Sequence, residues 1–134
     1  MKLAFIGCGG IANAHARDLA RLIEAGYDLE ISYLIDPRIE AAERLRDKWG
    51  FREARLSRDY RDALGKVDAA LVLTPHALHY RQCRDLLRSG VHVMVEKPMV
   101  CRLEEAYSLL DEASSADLIL EVAYQRHFNP VFMA

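Results

Sequence analysis

Residues 2–12, KLAFIGCGGIA, decide the fold of this chain. The apolar run at residues 2–7 is typical of a buried β-strand, because it is short, continuous and bounded by glycine. Gly7-Cys8-Gly9-Gly10 predicts a tight turn. Residues 11–25 then have the periodicity of a helix, with an apolar face at Leu19, Leu22 and Ile23. The chain therefore begins with a strand, a glycine-rich turn and a helix.

The alternation of strand and helix continues along the chain. Further strands are predicted at residues 29–35, 53–56, 69–73, 91–95 and 118–123. Helices are predicted at residues 39–49, 57–64, 76–89 and 103–114, with Ser57 as the cap of the short one. Such alternation indicates right-handed crossovers and a parallel sheet covered on both faces. We expect an α/β fold with a Rossmann-type, doubly wound parallel sheet in the strand order 3-2-1-4-5-6.

The glycine-rich turn fits the pattern G-x-G-x-x-A, which is typical of dinucleotide sites. Gly7 permits the tight turn, Gly9 lets a pyrophosphate approach the backbone, and Ala12 keeps the helix close to the sheet. Free amides at the helix start, around Gly10 and Ile11, can then hold the phosphates. The alternative interpretation is a plain turn between a strand and a helix.

Asp36 ends the second predicted strand, 24 residues beyond Ala12. A carboxylate at this place can accept hydrogen bonds from the adenosine ribose hydroxyls and would repel a 2′-phosphate, so NAD is favoured as the cofactor. Arg38 can pair with a 2′-phosphate, which leaves NADP possible. The alternative for Asp36 is a turn-forming role before Pro37.

Thr74, Pro75 and His76 follow the fourth predicted strand, across the expected crevice from the glycine turn. They can pack against the nicotinamide ribose, or they can form a simple helix-starting turn with Thr74 as its cap. By themselves, His76 and His79 are interpreted as solvent-exposed or capping residues. The helix that follows is expected to turn these residues to the core: Leu78, Cys83, Leu86 and Leu87.

Glu96-Lys97-Pro98 follows the fifth predicted strand, at the edge of a parallel sheet where ligands bind. Oxidation of a secondary alcohol sends hydride to the nicotinamide and releases the hydroxyl proton. A partly buried Lys97 beside that oxygen can stabilise the developing negative charge and relay the proton. The alternative is an ordinary surface lysine after a strand. Pro98 makes a cis peptide bond a reasonable expectation.

The composition excludes several classes of function. With 134 residues and 51% hydrophobic residues, the chain has the size and composition of one globular domain. A net charge of −2, without a basic block, does not favour nucleic acid as a partner. Every apolar run is too short to span a membrane, and we expect no signal peptide. Three cysteines without metal-ligand spacing predict reduced thiols, no metal site and a cytoplasmic protein.

Four motifs together resemble a known family. Gly-Cys-Gly-Gly-Ile-Ala at 7–12, Thr-Pro-His-x-x-His at 74–79, Glu-Lys-Pro at 96–98 and Tyr-Gln-Arg-His-Phe-Asn-Pro at 124–130 occur in that order. The chain closely resembles the N-terminal half of the Gfo/Idh/MocA oxidoreductases, named for glucose–fructose oxidoreductase and inositol dehydrogenase. One departure is His127, where many relatives have arginine.

The resemblance implies an NAD(P)-dependent hydride transfer at a hydroxyl or keto carbon of a sugar, cyclitol or related polyol. It implies that Lys97 is the lysine beside the substrate hydroxyl. It also implies cofactor contacts beyond the glycine turn and the second strand, at Thr74, Pro75, His76, His79, Glu96, Gln125 and Arg126. The lysine–proline peptide is often cis in this family.

Family members continue into a second α/β domain, which supplies most of the sugar pocket, a probable catalytic histidine and the dimer surface. We expect residues 1–123 to be the Rossmann domain and residues 124–134 to begin the connection to that domain, which is absent here. The chain alone should therefore bind cofactor with little or no turnover, and form a homo-oligomer only with the second domain. Alternatives are an NAD(H)-sensing or partner-docking module without catalysis, and a small reductase of the biliverdin type.

Overall fold

The computed structural model describes residues 1–124, which form six strands and four α-helices. The strands are β1 (Lys2–Ile6), β2 (Glu30–Ile35), β3 (Arg55–Ser57), β4 (Ala69–Val72), β5 (His92–Val95) and β6 (Leu120–Val122). The helices are α1 (Gly10–Glu24), α2 (Ile39–Trp49), α3 (His76–Arg88) and α4 (Leu103–Ser115), with a short 3₁₀ helix at Tyr60–Ala63. The predicted elements are confirmed, with differences of one or two residues at most of their ends.

All six strands are parallel and form one sheet in the order β3-β2-β1-β4-β5-β6. This is the predicted order, and the Rossmann-type fold is confirmed. β1 lies between β2 and β4, with Phe5 beside Leu34 on one side and Leu71 on the other. The chain reverses its direction of winding at the β1–β4 boundary, so the crevice of a doubly wound sheet lies beyond the carboxyl ends of these strands.

Successive residues of β1 point to opposite faces of the sheet and enter two separate cores. Ala4 and Ile6 pack on the side of α3 and α4, whereas Leu3 and Phe5 pack on the side of α1 and α2. None of these four side chains is more than 4% exposed. A parallel strand covered on both faces needs apolar residues at every position, which explains the unbroken apolar run in the sequence.

Helix α1 packs on the sheet through small residues, which differs from the prediction. Its two buried residues are Ala12 and Ala16, one turn apart. Leu22 is 39% exposed, so the expected apolar face at Leu19, Leu22 and Ile23 is not the face that meets the sheet most closely. Two alanines without side-chain bulk let the helix start close to the end of β1.

The short helix at Tyr60–Ala63 is capped by Asp59. The predicted cap, Ser57, was wrong. The Asp59 carboxylate accepts a hydrogen bond from the Arg61 backbone N–H at 3.0 Å. Ser57 is the last residue of β3, and its hydroxyl donates to Asp62 at 2.6 Å. The prediction placed the start of the helix too early because Ser and Asp are both favoured at this position.

Gly7 is the residue at which β1, β2 and β4 are held together. Its N–H donates to the Ile35 carbonyl oxygen at 2.7 Å, and the Leu73 N–H donates to the Ile6 carbonyl oxygen at 2.8 Å. Gly7 has φ +99°, and a Cβ placed on it would lie 2.9 Å from both the carbonyl carbon and oxygen of Leu73. A side chain at this position therefore meets both backbone strain and rigid main chain.

We expect Gly7→Ala to lower the free energy of unfolding by about 2 kcal/mol or more, because strain at positive φ adds to the contact with Leu73. Gly10→Ala is the matched control, since a Cβ there meets nothing within 4 Å. The control should unfold at the same urea concentration as the unchanged chain, or slightly higher. Equal urea midpoints for the two variants would contradict this account of Gly7.

Candidate functional site

A cavity of about 640 Å³ lies at the carboxyl edge of the sheet, between the loops that follow β1, β2, β3 and β4. Six residues predicted for the site line it: Gly7, Gly9, Asp36, Arg38, Thr74 and Pro75. Of the described residues, nine more line it that were not predicted for the site, and those with large or polar side chains beyond the strands include Arg58, Tyr60, Leu78 and Gln82. Leu78 was expected in the core but is 46% exposed. Arg58 and Tyr60 could have been predicted from the sequence, because they follow β3 and so lie at the carboxyl edge of the sheet.

The glycine turn has free backbone amides beside this cavity, which Gly7 and Gly9 line. Gly9 is the N-cap of α1, no side chain caps the helix, and its first turn has no acidic residue. The first N–H groups of α1, including those of Gly10 and Ile11, therefore have no capping partner on the helix. A Cβ on Gly9 or on Gly10 would meet nothing within 4 Å, so open space lies against this stretch of backbone. An anion can reach the positive end of the helix here.

Asp36 joins the end of β2 to the glycine turn. Its side chain is buried, with Oδ2 accepting from the Cys8 backbone N–H at 2.9 Å and Oδ1 accepting from the Arg38 backbone N–H at 2.9 Å. The Arg38 Nε lies 3.8 Å from Oδ1. Because a carboxylate offers about four acceptor positions, each oxygen keeps capacity for a hydroxyl donor in the cavity.

Cys8 fills the turn as a small, unreactive side chain. Its Sγ donates to the Ile35 carbonyl oxygen at 3.6 Å. Burial, together with the negative charge of Asp36, raises the pKa of the Cys8 thiol to about 12. The thiol is therefore protonated at neutral pH and is no nucleophile. Cys83 and Cys101 are also free, and Cys101 is exposed.

His79 connects the loops that follow β4 and β5. Its ring is completely buried, with Nε2 2.8 Å from the Thr74 carbonyl oxygen and Nδ1 3.0 Å from the Pro98 carbonyl oxygen. The interpretation of His79 as a solvent-exposed or capping residue was wrong. A neutral imidazole can donate to one of these oxygens, whereas a protonated one donates to both. His76 is exposed, and its ring meets the edge of the His79 ring at 5.6 Å between centroids.

Thr74 does not cap α3, because the N-cap is Pro75 and no side chain bonds to the helix start. The Thr74 hydroxyl instead donates to Gln82 Oε1 at 2.5 Å, nearly two turns into α3. Its carbonyl is held by His79, as described above. The Thr74 side chain and carbonyl are therefore both held, and Pro75 further restricts the Thr74 backbone, because proline limits the conformation of the residue before it. The loop after β4 is a rigid wall of the cavity.

Glu96 and Lys97 lie at the end of β5. The Glu96 side chain is buried, with Oε1 2.9 Å from His15 Nε2 and Oε2 accepting from the Lys97 backbone N–H at 3.2 Å. The Lys97 side chain is exposed in this chain, so the expectation of partial burial was wrong. The peptide bond between Lys97 and Pro98 is cis, as expected.

His15 was interpreted as purely structural, and the structure assigns it a place beside the site. It ties α1, which begins at the glycine turn, to the Glu96 carboxylate on the opposite side of the crevice. The signal in the sequence is spacing, because His15 follows Ala12 by three residues and so shares its helix face toward the sheet. Which carboxylate lies opposite could not be known without the order of the strands.

Two predicted cofactor contacts, Gln125 and Arg126, lie outside the described residues, and so does most of the predicted connection at residues 124–134. Their roles stay predictions. Within residues 1–124, no helix is both long and apolar enough to cross a membrane. In the same part of the chain, no three His, Cys, Asp or Glu side chains are grouped so that they could hold a metal ion.

The model of the Gfo/Idh/MocA proteins, described as an oxidoreductase family with an NAD-binding Rossmann fold, matches residues 1–124. The chain belongs to this family. It is an NAD-binding Rossmann domain, and the resemblance found in the four motifs is confirmed. The match extends two residues beyond β6 and includes the glycine turn, Asp36, and the loops after β4 and β5.

Relatives share the domain at low sequence identity. 4-Carboxy-2-hydroxymuconate-6-semialdehyde dehydrogenase of Sphingobium sp. (strain NBRC 103272 / SYK-6) is 27% identical over 97% of this chain and 40% of its own length. Myo-inositol 2-dehydrogenase of Thermotoga maritima is 28% identical over 98% of this chain and 38% of its own length. The WlbA dehydrogenase from Bordetella pertussis, solved with NADH and UDP-GlcNAcA, is 27% identical with a TM-score of 0.87, covering 99% of this chain and 40% of that one. The chain thus spans about two fifths of the relatives it matches.

We expect His79→Ala to lower the free energy of unfolding by about 2–4 kcal/mol, because it leaves a cavity where the buried ring stood and removes the polar contacts between the loops after β4 and β5. His76→Ala is the matched control, since His76 is an exposed histidine on the same helix and should change stability by less than about 0.5 kcal/mol. Urea denaturation measures both. If the two variants lose the same stability, His79 does not hold the loops together.

Proposed function

We propose that the crevice binds NAD(H) in an extended form, from Asp36 at one side of the β1–β4 boundary to Lys97 at the other. The observation that carries this proposal is that an open glycine turn and a buried carboxylate face one cavity. The turn and the carboxylate are in direct contact, because the Cys8 backbone N–H donates to Asp36. This arrangement offers a phosphate site beside a ribose site.

The adenosine half of the cofactor lies on the side of β2. The pyrophosphate sits against the amides of Gly9, Gly10 and Ile11, where the positive end of α1 favours negative charge. The ribose hydroxyls donate to the Asp36 carboxylate, which stays in place because two backbone N–H groups hold it. Arg38 lies at the rim of this part, with its side chain 77% exposed.

The nicotinamide half lies between the loops after β4 and β5. Thr74 and Pro75 form the wall on which it packs, and Glu96 lies at its far side. His79 acts as a positioning residue for both loops, since its buried ring has no surface for a ligand. His76, exposed at the start of α3, lies at the mouth of the crevice. Gln125 and Arg126 are proposed contacts from beyond the described residues.

Lys97 is the proposed catalytic residue. Its exposed ammonium group extends from a backbone that Glu96 holds through the Lys97 N–H. Beside a substrate hydroxyl, a lysine stabilises the alkoxide charge that develops as hydride leaves and takes part in transfer of the proton. Catalytic groups act best where water is excluded. Because Lys97 is exposed, we propose that residues outside this chain cover it in the complete site.

We propose a sugar, cyclitol or related polyol as the substrate class. The names of the inositol dehydrogenase and of the structure with a UDP-sugar support this class. The semialdehyde dehydrogenase shows that one domain of this kind serves other substrates as well. We place most of the substrate pocket, the partner base and any homo-oligomer surface outside this chain, and the protein itself in the cytoplasm. The chain alone then binds NAD(H) with little or no turnover.

We expect Gly9→Ala to weaken NADH binding by about tenfold or more, because the new methyl group occupies the space that the pyrophosphate needs. Isothermal titration calorimetry of the 134-residue chain measures the affinity. Urea denaturation is the control, since a Cβ on Gly9 meets nothing and its φ of −81° suits alanine. Unchanged affinity in a stable variant would contradict the proposed pyrophosphate site.

We expect Lys97→Met in the full-length enzyme to lower turnover by about a hundredfold or more while NADH affinity changes less than twofold. The reason is that Lys97 touches the reacting hydroxyl, whereas cofactor affinity comes from the glycine turn and Asp36. Glucose or myo-inositol oxidation, followed through NADH absorbance, tests turnover across the substrate class. Equal turnover in the variant, on any substrate that the enzyme oxidises, would exclude the catalytic role.

A further inference from the structure

The Lys97 ammonium group has no polar partner that fixes its position. Within residues 1–124, it makes no hydrogen bond, ion pair or ring contact, and the residue is exposed. The contact that holds Lys97 is made by its backbone, whose N–H donates to Glu96 Oε2 at 3.2 Å. A lysine side chain is a long, flexible stem, so the point from which it starts decides which space the ammonium group can reach. The placement of Glu96 therefore determines the placement of Lys97.

The Glu96 carboxylate is held from two sides. Its Oε1 lies 2.9 Å from His15 Nε2 on α1, and its Oε2 accepts from the Lys97 N–H. Since a carboxylate only accepts hydrogen bonds, His15 Nε2 carries the hydrogen and donates it. Both side chains are mostly covered, with 21% of His15 and 12% of Glu96 exposed, so water competes little for this bond. His15 thus sets the orientation of the group that fixes the Lys97 backbone.

Packing alone does not call for a polar pair at this place. The residues that follow the neighbouring strands, Leu73 after β4 and Ala123 after β6, are both apolar and buried. An apolar side chain at position 96 would serve the same packing, and replacing a buried ion pair by well-packed apolar residues often costs a protein no stability. A hydrogen-bonded pair instead imposes one geometry, because its bond has a required distance and direction. A fixed position for Lys97 is a reason for this pair that packing does not supply.

We propose that His15 is a positioning residue for hydride transfer. Through Glu96 it holds the Lys97 backbone, and with it the ammonium group, beside the substrate hydroxyl, while His15 itself touches neither substrate nor cofactor. The inference rests on the proposed catalytic role of Lys97. Because α1 begins at the glycine turn, the helix that receives the pyrophosphate also carries the residue that places the lysine. Cofactor and catalytic group are then located relative to one rigid element, which favours a reactive arrangement of the two.

Turnover of the full-length enzyme tests the proposal, with oxidation of glucose or myo-inositol followed through NADH absorbance. We expect His15→Leu to lower kcat about tenfold or more and to change NADH affinity less than twofold, because a small displacement of a catalytic group has a large effect on the chemical step alone. His15→Gln should keep at least about a third of kcat, since its amide still offers an N–H to Glu96. His92→Leu is the matched control and should leave kcat unchanged. His92 is a half-buried histidine at the amino end of β5, where its Nδ1 accepts from the Ile119 N–H.

Combination with Lys97→Met separates positioning from a general structural role. If His15 acts only through Lys97, adding His15→Leu to Lys97→Met lowers kcat no further. A further loss in the double variant would overturn the proposal, and so would an equal loss in His92→Leu. Loss of turnover in Lys97→Met without loss in His15→Leu would overturn the positioning role and leave the proposed function intact. Full turnover in Lys97→Met would refute the catalytic role of Lys97, and the positioning role with it.

Amide hydrogen exchange in the 134-residue chain tests the contact without any substrate. We expect His15→Leu to speed exchange of the Lys97 amide about tenfold, because Glu96 is no longer held in place to accept it, and to leave the amide of Phe5 at the centre of the sheet unchanged. His15→Gln and His92→Leu should leave the Lys97 amide as it is. If His15→Leu does not fold, His15→Asn replaces it in both experiments, because its amide ends too close to the backbone to reach Glu96. An unchanged rate at Lys97, or the same increase at Lys97 and Phe5, would overturn the proposal.

Discussion

The hydrogen bond from the Cys8 backbone N–H to the buried Asp36 carboxylate is the interaction on which the site depends. A carboxylate taken out of water is costly unless its oxygens are bonded, so Asp36 needs the N–H groups of Cys8 and Arg38. These bonds fix the end of β2 against the turn after β1. The same turn requires Gly7, because no side chain fits between it and the Leu73 carbonyl. Gly7, Cys8 and Asp36 therefore stabilise the fold and also shape the proposed cofactor site.

The opposite wall of the crevice is held by two further buried polar side chains. His79 joins the loop after β4 to the loop after β5, and Glu96 joins the latter loop to His15 on α1. Because α1 begins at the glycine turn, this last contact connects the two walls through one rigid helix. The crevice is therefore largely formed before any ligand binds, which limits the ordering that binding must impose.

The sequence was sufficient for the parts of this structure that local patterns determine. The helix predicted at residues 39–49 matches α2, and the strand order follows from alternation and the handedness of crossovers. The placement of Gly7, Asp36 and Lys97 at one edge of the sheet could be predicted because each follows the carboxyl end of a parallel strand. His79, His15 and the packing of α1 through alanines were missed. Periodicity shows that a helix is amphipathic, but the depth at which it packs and the partner of a histidine depend on which loops the sheet brings together.

The most direct test of the account is the position of the bound cofactor, measured by amide NMR shifts as NADH is added to the ¹⁵N-labelled chain. The account predicts the largest shifts at the amides of Gly9, Gly10, Ile11 and Arg38, with smaller ones in the loops after β4 and β5. Amides at the opposite edge of the sheet, such as those of Leu29 and Val91, should not move. Large shifts at that opposite edge, or none at the glycine turn, would contradict the assignment of the cofactor to this crevice.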